Sequence, residues 1–382
     1  MKKVDVCVIG GGVIGSAVTY YLSKTNKSVV LLERKAIGSG SARATFGLLT
    51  IQLFKYFGII DSYLKITEES IRMYETLEKE LGASIQHRRT GGLVVIKDED
   101  NYKDRAEMVS SLKKRNIDID ILDKKQTIEI VPNLKSDGVL GASYSELEGE
   151  VNPLMLSDAF VRGALKNKAE VVSNDPVASV LVKNGKIEAV NTTQNCYQPK
   201  YVVNAAGMWA NEIAKMAGID VPLRMQRGQL ILTEPVRPLL DMVIQLVPPP
   251  TIDDVGNSIV LSTEIRQMIN GNLLMGGTRD YDEANTRTTL AGIKSIAKRA
   301  ASIIPLNKNI NVLRAFSGVR HIPEDGLPIM GFDRRVDGWV NAVMHVGITL
   351  APVAGKIISD LIDTGRPSFD ISEFLIDRFY KK

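Results

Sequence analysis

Residues 4–34 read VDVCVIGGGVIGSAVTYYLSKTNKSVVLLER, and the order of parts in this stretch decides the fold of the N-terminal region. Residues 4–9 are almost wholly apolar, as expected of a strand buried on both faces of a parallel sheet. They run into Gly10, Gly12 and Gly15 of a G-x-G-x-x-G motif, in which Val13 and Ile14 open a helix. Helical spacing follows, with Val13, Ala17, Tyr20 and Tyr21 near one side. A second apolar strand, residues 28–32, ends at Glu33. Each part has a physical task. Gly10 permits a tight turn, Gly12 lets backbone approach a pyrophosphate, and Gly15 lets helix and strand pack closely. The helix N-terminus offers unpaired N–H groups and partial positive charge to phosphates. Glu33 is placed to accept hydrogen bonds from ribose hydroxyls. Strand, motif, helix, strand and acid in this order predict a dinucleotide site.

The motif alone leaves the dinucleotide open. Arg34 suits a phosphorylated ribose, whereas Glu33 would repel a 2′-phosphate. Residues 37–43, IGSGSAR, follow at once. Small residues (Gly38, Ser39, Gly40, Ser41, Ala42) and one cation, Arg43, suit a loop folding back over the pyrophosphate. Dehydrogenases that use only NAD have no fixed need for such a segment.

Farther along, periodicity predicts a helix over 63–82, a strand over 91–96 and a charged helix over 100–117. Residues 177–190 form a hairpin around Asn184-Gly185, the pair preferred in type I′ turns. Residues 201–207, YVVNAAG, read as a buried strand ending in Ala205, Ala206 and Gly207, small residues where backbone must approach something closely. Strands are expected over 221–232 and 273–277, with a polar stretch around 250–272 between them. An amphipathic helix is expected over 290–304, and a last helix over 352–363 with Pro352 in its first turn. Residues 46–60, FGLLTIQLFKYFGII, are unusually apolar and fit core packing or an active-site lid, with a partner-facing surface as the alternative.

The whole-chain numbers bound these readings. A chain of 382 residues predicts two domains. A net charge of +4 with no dense basic block makes nucleic acid a poor partner. Two cysteines, Cys7 and Cys196, cannot form a disulfide framework or hold a four-thiolate iron–sulfur cluster, and they suit a reducing cytoplasm. No metal site is expected. No stretch approaches the ~20 apolar residues that span a bilayer. The expected location is cytoplasmic, with peripheral attachment to a membrane left open.

Taken together, VIGGGVIGSAVTYYLSKTNKSVVLLER, GSGSAR, VVNAAGMWA, GVRHIPEDGLPIMGF and HVGITLAPVAGKIISDLI resemble the FAD-dependent D-amino-acid oxidase superfamily over essentially the full length. Within it the chain is similar to opine oxidase, sarcosine oxidase, proline dehydrogenase and hydrogen cyanide synthase flavin subunits. The resemblance implies an α/β fold: a GR2-type Rossmann-like FAD domain (residues 1–85, 145–217 and 318–382) interleaved with a substrate domain on a mixed or antiparallel sheet (86–144 and 218–317). It implies non-covalent FAD and oxidation of the C–N bond of an amino acid or N-substituted amino acid, with a stand-alone peroxide-forming oxidase or a non-catalytic or tRNA-modifying relative as alternatives. It also implies candidate partner subunits carrying FMN, an iron–sulfur cluster or a second flavin.

By position, the resemblance puts Gly10, Gly12, Gly15 and Glu33 at the ADP half of FAD, Arg34 near adenine or ribose, and Ser41, Ala42 and Arg43 near the pyrophosphate. The Val177 backbone would meet the adenine, and Ala206 and Gly207 would close around the ADP portion. Gly347, Ile348, Thr349 and Leu350 would pass beneath the flavin ring. Arg320, after Gly318-Val319, matches the arginine that clamps the substrate carboxylate. His345 is a candidate contact to substrate or cofactor. His321 departs from the family, whose members often carry proline there, and the glycine–histidine turn before GITLAP is shortened to Met344-His345-Val346. Some relatives activate oxygen with a lysine of the substrate domain; residues 216–293 contain none, which favours a dehydrogenase.

Overall fold

A computed structural model describes residues 1–52, 60–246, 251–252, 258–281, 284–306 and 309–380. The chain forms two compact units, Met1–His87, Val151–Met225 and Arg320–Lys382 in the first, Arg88–Glu150 and Gln226–Val319 in the second.

The first unit is built on the predicted strand–helix–strand. Strands β1 (Lys2–Ile9) and β2 (Val29–Leu32) flank helix α1 (Val13–Ser23) in sequence and pair in parallel. The sheet extends on the other side of β1 through β11 (Cys196–Asn204) and β19 (Trp339–Val343), both parallel, and beyond β2 through parallel β8 (Glu170–Val172). Antiparallel β18 (Ile329–Phe332) closes one edge. The Asn184-Gly185 hairpin is present as β9 (Val177–Lys183) and β10 (Lys186–Thr192), with both turn residues at positive φ as a type I′ turn requires. The apolar runs of β1, β2, β19 and the end of β11 are buried on both faces and show almost no alternation. Cys7, Val30, Val202 and Trp339 are all fully buried in one core cluster.

Helices α1, α2 (Asp61–Leu81), α5 (Pro153–Lys166) and α8 (Gly347–Thr364) pack together in this unit. Short strand β3 (Leu48–Leu49) and helix α6 (Ala210–Met216) complete it. At Gly355 a Cβ would press on the backbone of Ala17, so glycine there lets α8 approach α1 closely. Phe46, Leu49 and Ile51 are buried, which makes the described start of the apolar 46–60 segment core; residues 53–59 lie outside the described residues.

Helix α8 begins five residues earlier than periodicity indicates, so Pro352 lies inside it rather than in its first turn. Proline has no N–H to give the carbonyl four residues back, which here is Ile348. The Tyr74 hydroxyl, fully buried on α2, donates to that carbonyl instead. Tyr74→Phe should therefore strand a buried acceptor at a cost of roughly 1–3 kcal/mol and lower the Tm of the cofactor-free protein by a few degrees. Equal melting of the two proteins would show that Ile348 finds another donor.

The second unit holds a mixed sheet. Its strands are β4 (Gly92–Ile96), β5 (Asp120–Asp123), β6 (Gly141–Ser145), β12 (Leu223–Pro235), β13 (Val243–Leu246), β15 (Ser258–Gln267), β16 (Asn272–Tyr281) and β17 (Val312–Pro323), with β14 (Thr251–Ile252) beside β15. They lie in the order β17-β12-β16-β15-β13-β4-β6-β5. Strands β13 and β4 pair in parallel, whereas β15 with β16 and β4 with β6 are antiparallel. Residues 258–267 of the stretch read as polar around 250–272 are thus strand β15. Helices α3 (Glu99–Lys113), α4 (Lys124–Ile130) and α7 (Leu290–Ile303) and the short strand β7 (Gly149–Glu150) belong to this unit. The charged helix stops at Lys113, short of the expected 117, and Asn116 turns left-handed. Strands β12 and β17 carry the chain across the boundary between the units.

Candidate functional site

In open parallel sheets, ligands bind outside the carboxyl ends of the strands. At that edge of the first unit lie Gly10 after β1, Glu33 after β2, Ala205 after β11 and Met344 after β19. The three motif glycines differ in what confines them. Gly10 has φ +110°, and a Cβ there would sit 2.5 Å from the Ala205 carbonyl oxygen. A Cβ at Gly15 would collide with the Gly10 carbonyl, whereas one at Gly12 meets nothing within 4 Å. Gly10 and Gly15 are therefore tied to packing, and Gly12 fronts open space at the N-terminus of α1.

Glu33 is nearly buried and held from two sides: its carboxylate accepts from the Gly11 N–H at 2.7 Å and the Lys35 N–H at 2.8 Å. A side chain at Gly11 would push against Glu33 Cβ and Ile37. Gly11 thus positions the acid, a role that the motif spacing does not reveal although the run of three glycines carries it. The Gly38 N–H donates to the Gly11 carbonyl at 2.9 Å, so the IGSGSAR segment does return to the motif. Ser41–Ala44 then make a 3-10 turn in which Ala42 is buried and Arg43 exposed. Ser39 is half-buried in the same loop.

The guanidinium of Arg34 stacks over the indole of Trp209, 4.4 Å from its centroid. Trp209 carries no signal of its own in the sequence, and only its place after Ala205-Ala206-Gly207 points to it. Gly207 adopts φ +57°. Val177 opens β9 just after Asp175, whose carboxylate accepts from Thr192, Thr193, Gln194 and Asn195. The Asp175 N–H donates to the Glu33 carbonyl at 3.2 Å, so this loop is anchored beside the acid.

The N-terminus of α8 meets that of α1. A Cβ at Gly347 would lie 3.4 Å from Ile14 and 3.8 Å from Val13 side-chain atoms. Ile348, Thr349 and Leu350 are buried, and Thr349 Oγ1 donates to the Leu48 carbonyl at 3.1 Å. Val346 caps the helix at φ +58°, an unfavourable value for a β-branched residue, and His345 beside it is half-buried. Arg320 and His321 are half-buried on β17, while Gly318 is buried on the same strand.

Burial pushes the His321 ring down to about 4, a backbone hydrogen bond with Met344 pulling the other way. An unfolded chain takes up this proton near 6.5. The stabilising contribution of the neutral ring is then complete above about 6.5 and lost as pH falls toward 4. The Tm of the cofactor-free protein should decline across that window, by up to ~1.4 kcal/mol of stability per pH unit, and less steeply in His321→Asn. Parallel curves would remove the contribution.

A buried acid beside a glycine turn, open space before Gly12 and two adjoining helix N-termini define a dinucleotide-binding α/β protein. The chain belongs to the FAD dependent oxidoreductase family, whose family model matches residues 5–361. It is 27% identical to the hydrogen cyanide synthase subunit HcnC of Pseudomonas protegens, covering 99% of this chain and 97% of that protein. It is likewise 27% identical to an opine oxidase subunit of Rhizobium meliloti, covering 99% and 98%. The crystal structure of glycine oxidase from Geobacillus kaustophilus superposes with a TM-score of 0.90 at 24% identity, covering 99% of both chains. FAD is the cofactor of the family, and the residues at the carboxyl edge fit it: Gly12 leaves room before the α1 N-terminus, and the Glu33 carboxylate is held beside the motif glycines. Among the described residues no helix is long and apolar enough to cross a membrane.

Proposed function

We propose that this flavoenzyme is a dehydrogenase of amino acids or N-substituted amino acids, such as an opine, a proline derivative, sarcosine, glycine or a D-amino acid. In this reading it is the flavin subunit of a larger assembly. The observation that carries it is the meeting of the α1 and α8 N-termini at the carboxyl edge, through Gly347 against Ile14 and Val13, in the unit that also holds Arg320.

Bound FAD would take the substrate α-hydrogen as a hydride equivalent at flavin N5. Gly10, Gly12, Val13, Ile14 and Gly15 present the α1 N-terminus to the pyrophosphate, and Ser39, Ser41, Ala42 and Arg43 cover it. Glu33 accepts from ribose hydroxyls, and Arg34, held on Trp209, flanks the adenosine. Val177, Ala205, Ala206, Gly207 and Gly318 line the cofactor with backbone. Gly347, Ile348, Thr349 and Leu350, at the positive end of α8, would hold the flavin half, where the helix terminus would favour negative charge. Arg320 would grip the substrate carboxylate bidentately and so orient the α-carbon, and His345, just before α8, is a candidate contact to substrate or cofactor. The oxidised substrate leaves as an imine that water hydrolyses. Cys7 is fully buried with its thiol pushed up by burial, which speaks for non-covalent FAD.

Two relatives are named as subunits, which supports an assembly, and the lysine-free stretch 216–293 supports an acceptor other than oxygen. Anaerobic bleaching of the flavin by amino acids, N-alkyl amino acids and opines tests the substrate class, and no bleaching by any of them would reject it. Turnover faster with oxygen than with an artificial dye would make the protein an oxidase instead.

A further inference from the structure

His321 packs its ring against Gly207: a Cβ built on that glycine would lie 3.3 Å from Cε1 and 3.8 Å from Nδ1. Gly207 continues from Ala205 and Ala206, the residues that confine Gly10, so the ring stands one residue removed from the glycine motif. It also meets the backbone of Met344, where β19 ends ahead of α8. The ring thus bridges the carboxyl ends of β11 and β19, next to that of β1. Neighbouring residues of a strand point to opposite faces. If Arg320 serves the substrate, His321 serves the other side.

Nδ1 of this ring is buried and has no hydrogen-bond partner among the described residues. Buried polar atoms in native structures are nearly always satisfied, so one that is not calls for a partner from outside the chain, a water or a ligand. The Met344 backbone contact favours the protonated ring, which marks the carbonyl as acceptor of a ring N–H. In the neutral imidazole one nitrogen donates and the other accepts, and Nδ1 is left as the bare acceptor. Phosphates offer no donor to it. Donors are offered by the adenosine, whose ribose hydroxyls and amino group are expected at Glu33 and Arg34, and by the ribityl hydroxyls and the flavin N–H, which belong to the half of FAD beyond that ADP portion.

We propose that His321 is a cofactor-positioning residue whose buried Nδ1 accepts a hydrogen bond from the ribityl–flavin half of FAD. This rests on the assignment of the carboxyl edge to FAD. The chain has three histidines, which makes ¹⁵N-histidine NMR of the whole protein practicable, with His321→Asn assigning the resonance. Titrating cofactor-free protein with FAD is expected to shift His321 Nδ1 to the value of a hydrogen-bonded acceptor, whereas ADP leaves it unmoved. In parallel, His321→Leu should bind FAD about tenfold more weakly, with ADP affinity unchanged and the visible bands of the bound flavin displaced. His321→Asn, which puts an amide oxygen near the Nδ1 position, should restore most of the affinity and the spectrum. An Nδ1 resonance unmoved by FAD, or moved equally by ADP, overturns the proposal, and so does wild-type FAD affinity in His321→Leu. Failure of the wild-type protein to bind FAD would overturn the edge assignment itself, and with it the proposal. The NMR titration needs no variant beyond assignment, so it decides the question even if His321→Leu does not fold.

Discussion

Replacing Arg320 by alanine is expected to lower kcat/KM for a carboxylate-bearing amine by about two to three orders of magnitude. The loss should fall mostly on KM, with FAD content unchanged. A guanidinium that holds a carboxylate through two parallel hydrogen bonds supplies both attraction and geometry. Removing it leaves the substrate charge half-desolvated and the α-carbon free to turn. Arg320 is half-buried on β17, a strand rather than a loop, so its backbone should stay in place in the variant. Arg320→Lys keeps the charge but not the fork, and should recover only part of the loss. Steady-state kinetics with a dye acceptor across several amino-acid substrates measures this. Unchanged kinetics would leave the arginine a purely structural role.

The second large effect separates two glycines that look alike in the motif. Gly12→Ala should abolish practical FAD binding, a weakening of at least about a hundredfold (roughly 3 kcal/mol), while the cofactor-free protein melts as wild type does. Gly12 has φ −75°, which alanine adopts freely, and the added methyl meets no atom within 4 Å among the described residues beyond its chain neighbours. Its only obstacle would be the pyrophosphate. Gly15→Ala should behave in the opposite way. Its methyl strikes the Gly10 carbonyl within the protein itself, so the cofactor-free protein should lose stability before any ligand is added. Isothermal FAD titration beside thermal melts of both cofactor-free variants reads the two effects. If Gly12→Ala bound FAD normally, the phosphates could not lie at this turn.

The relation between these glycines shows how far the chain can be read in advance. Strand, turn, helix and acid are legible because each rests on local rules: an apolar run for a strand buried on both faces, glycine for a turn, helical spacing for α1. Asn184-Gly185 announces its hairpin for the same reason. The start of α8 lies five residues from where the sequence puts it because Pro352 normally marks a first turn. Its tolerance inside the helix depends on Tyr74, 278 residues earlier, whose hydroxyl replaces the missing donor. No window of sequence contains that pair. Strand β15 is hidden because its charged residues, Glu264 and Arg266, mask a strand whose buried members show only within the sheet.

By itself, then, the sequence determined the dinucleotide-binding strand–helix–strand and, through its resemblance, the flavin family and the arginine on which the proposed substrate binding turns. Those follow from short-range order, where neighbouring residues impose the conformation that gives them their task. Only the tertiary structure decided that Gly11 sets the Glu33 carboxylate, that Trp209 carries Arg34, that the α8 N-terminus rests on α1, and that His321 is left with an unsatisfied nitrogen. Each of these is a contact between residues far apart in the chain. Packing and hydrogen-bond satisfaction depend on which groups the folded chain brings together, and spacing along the sequence does not record that.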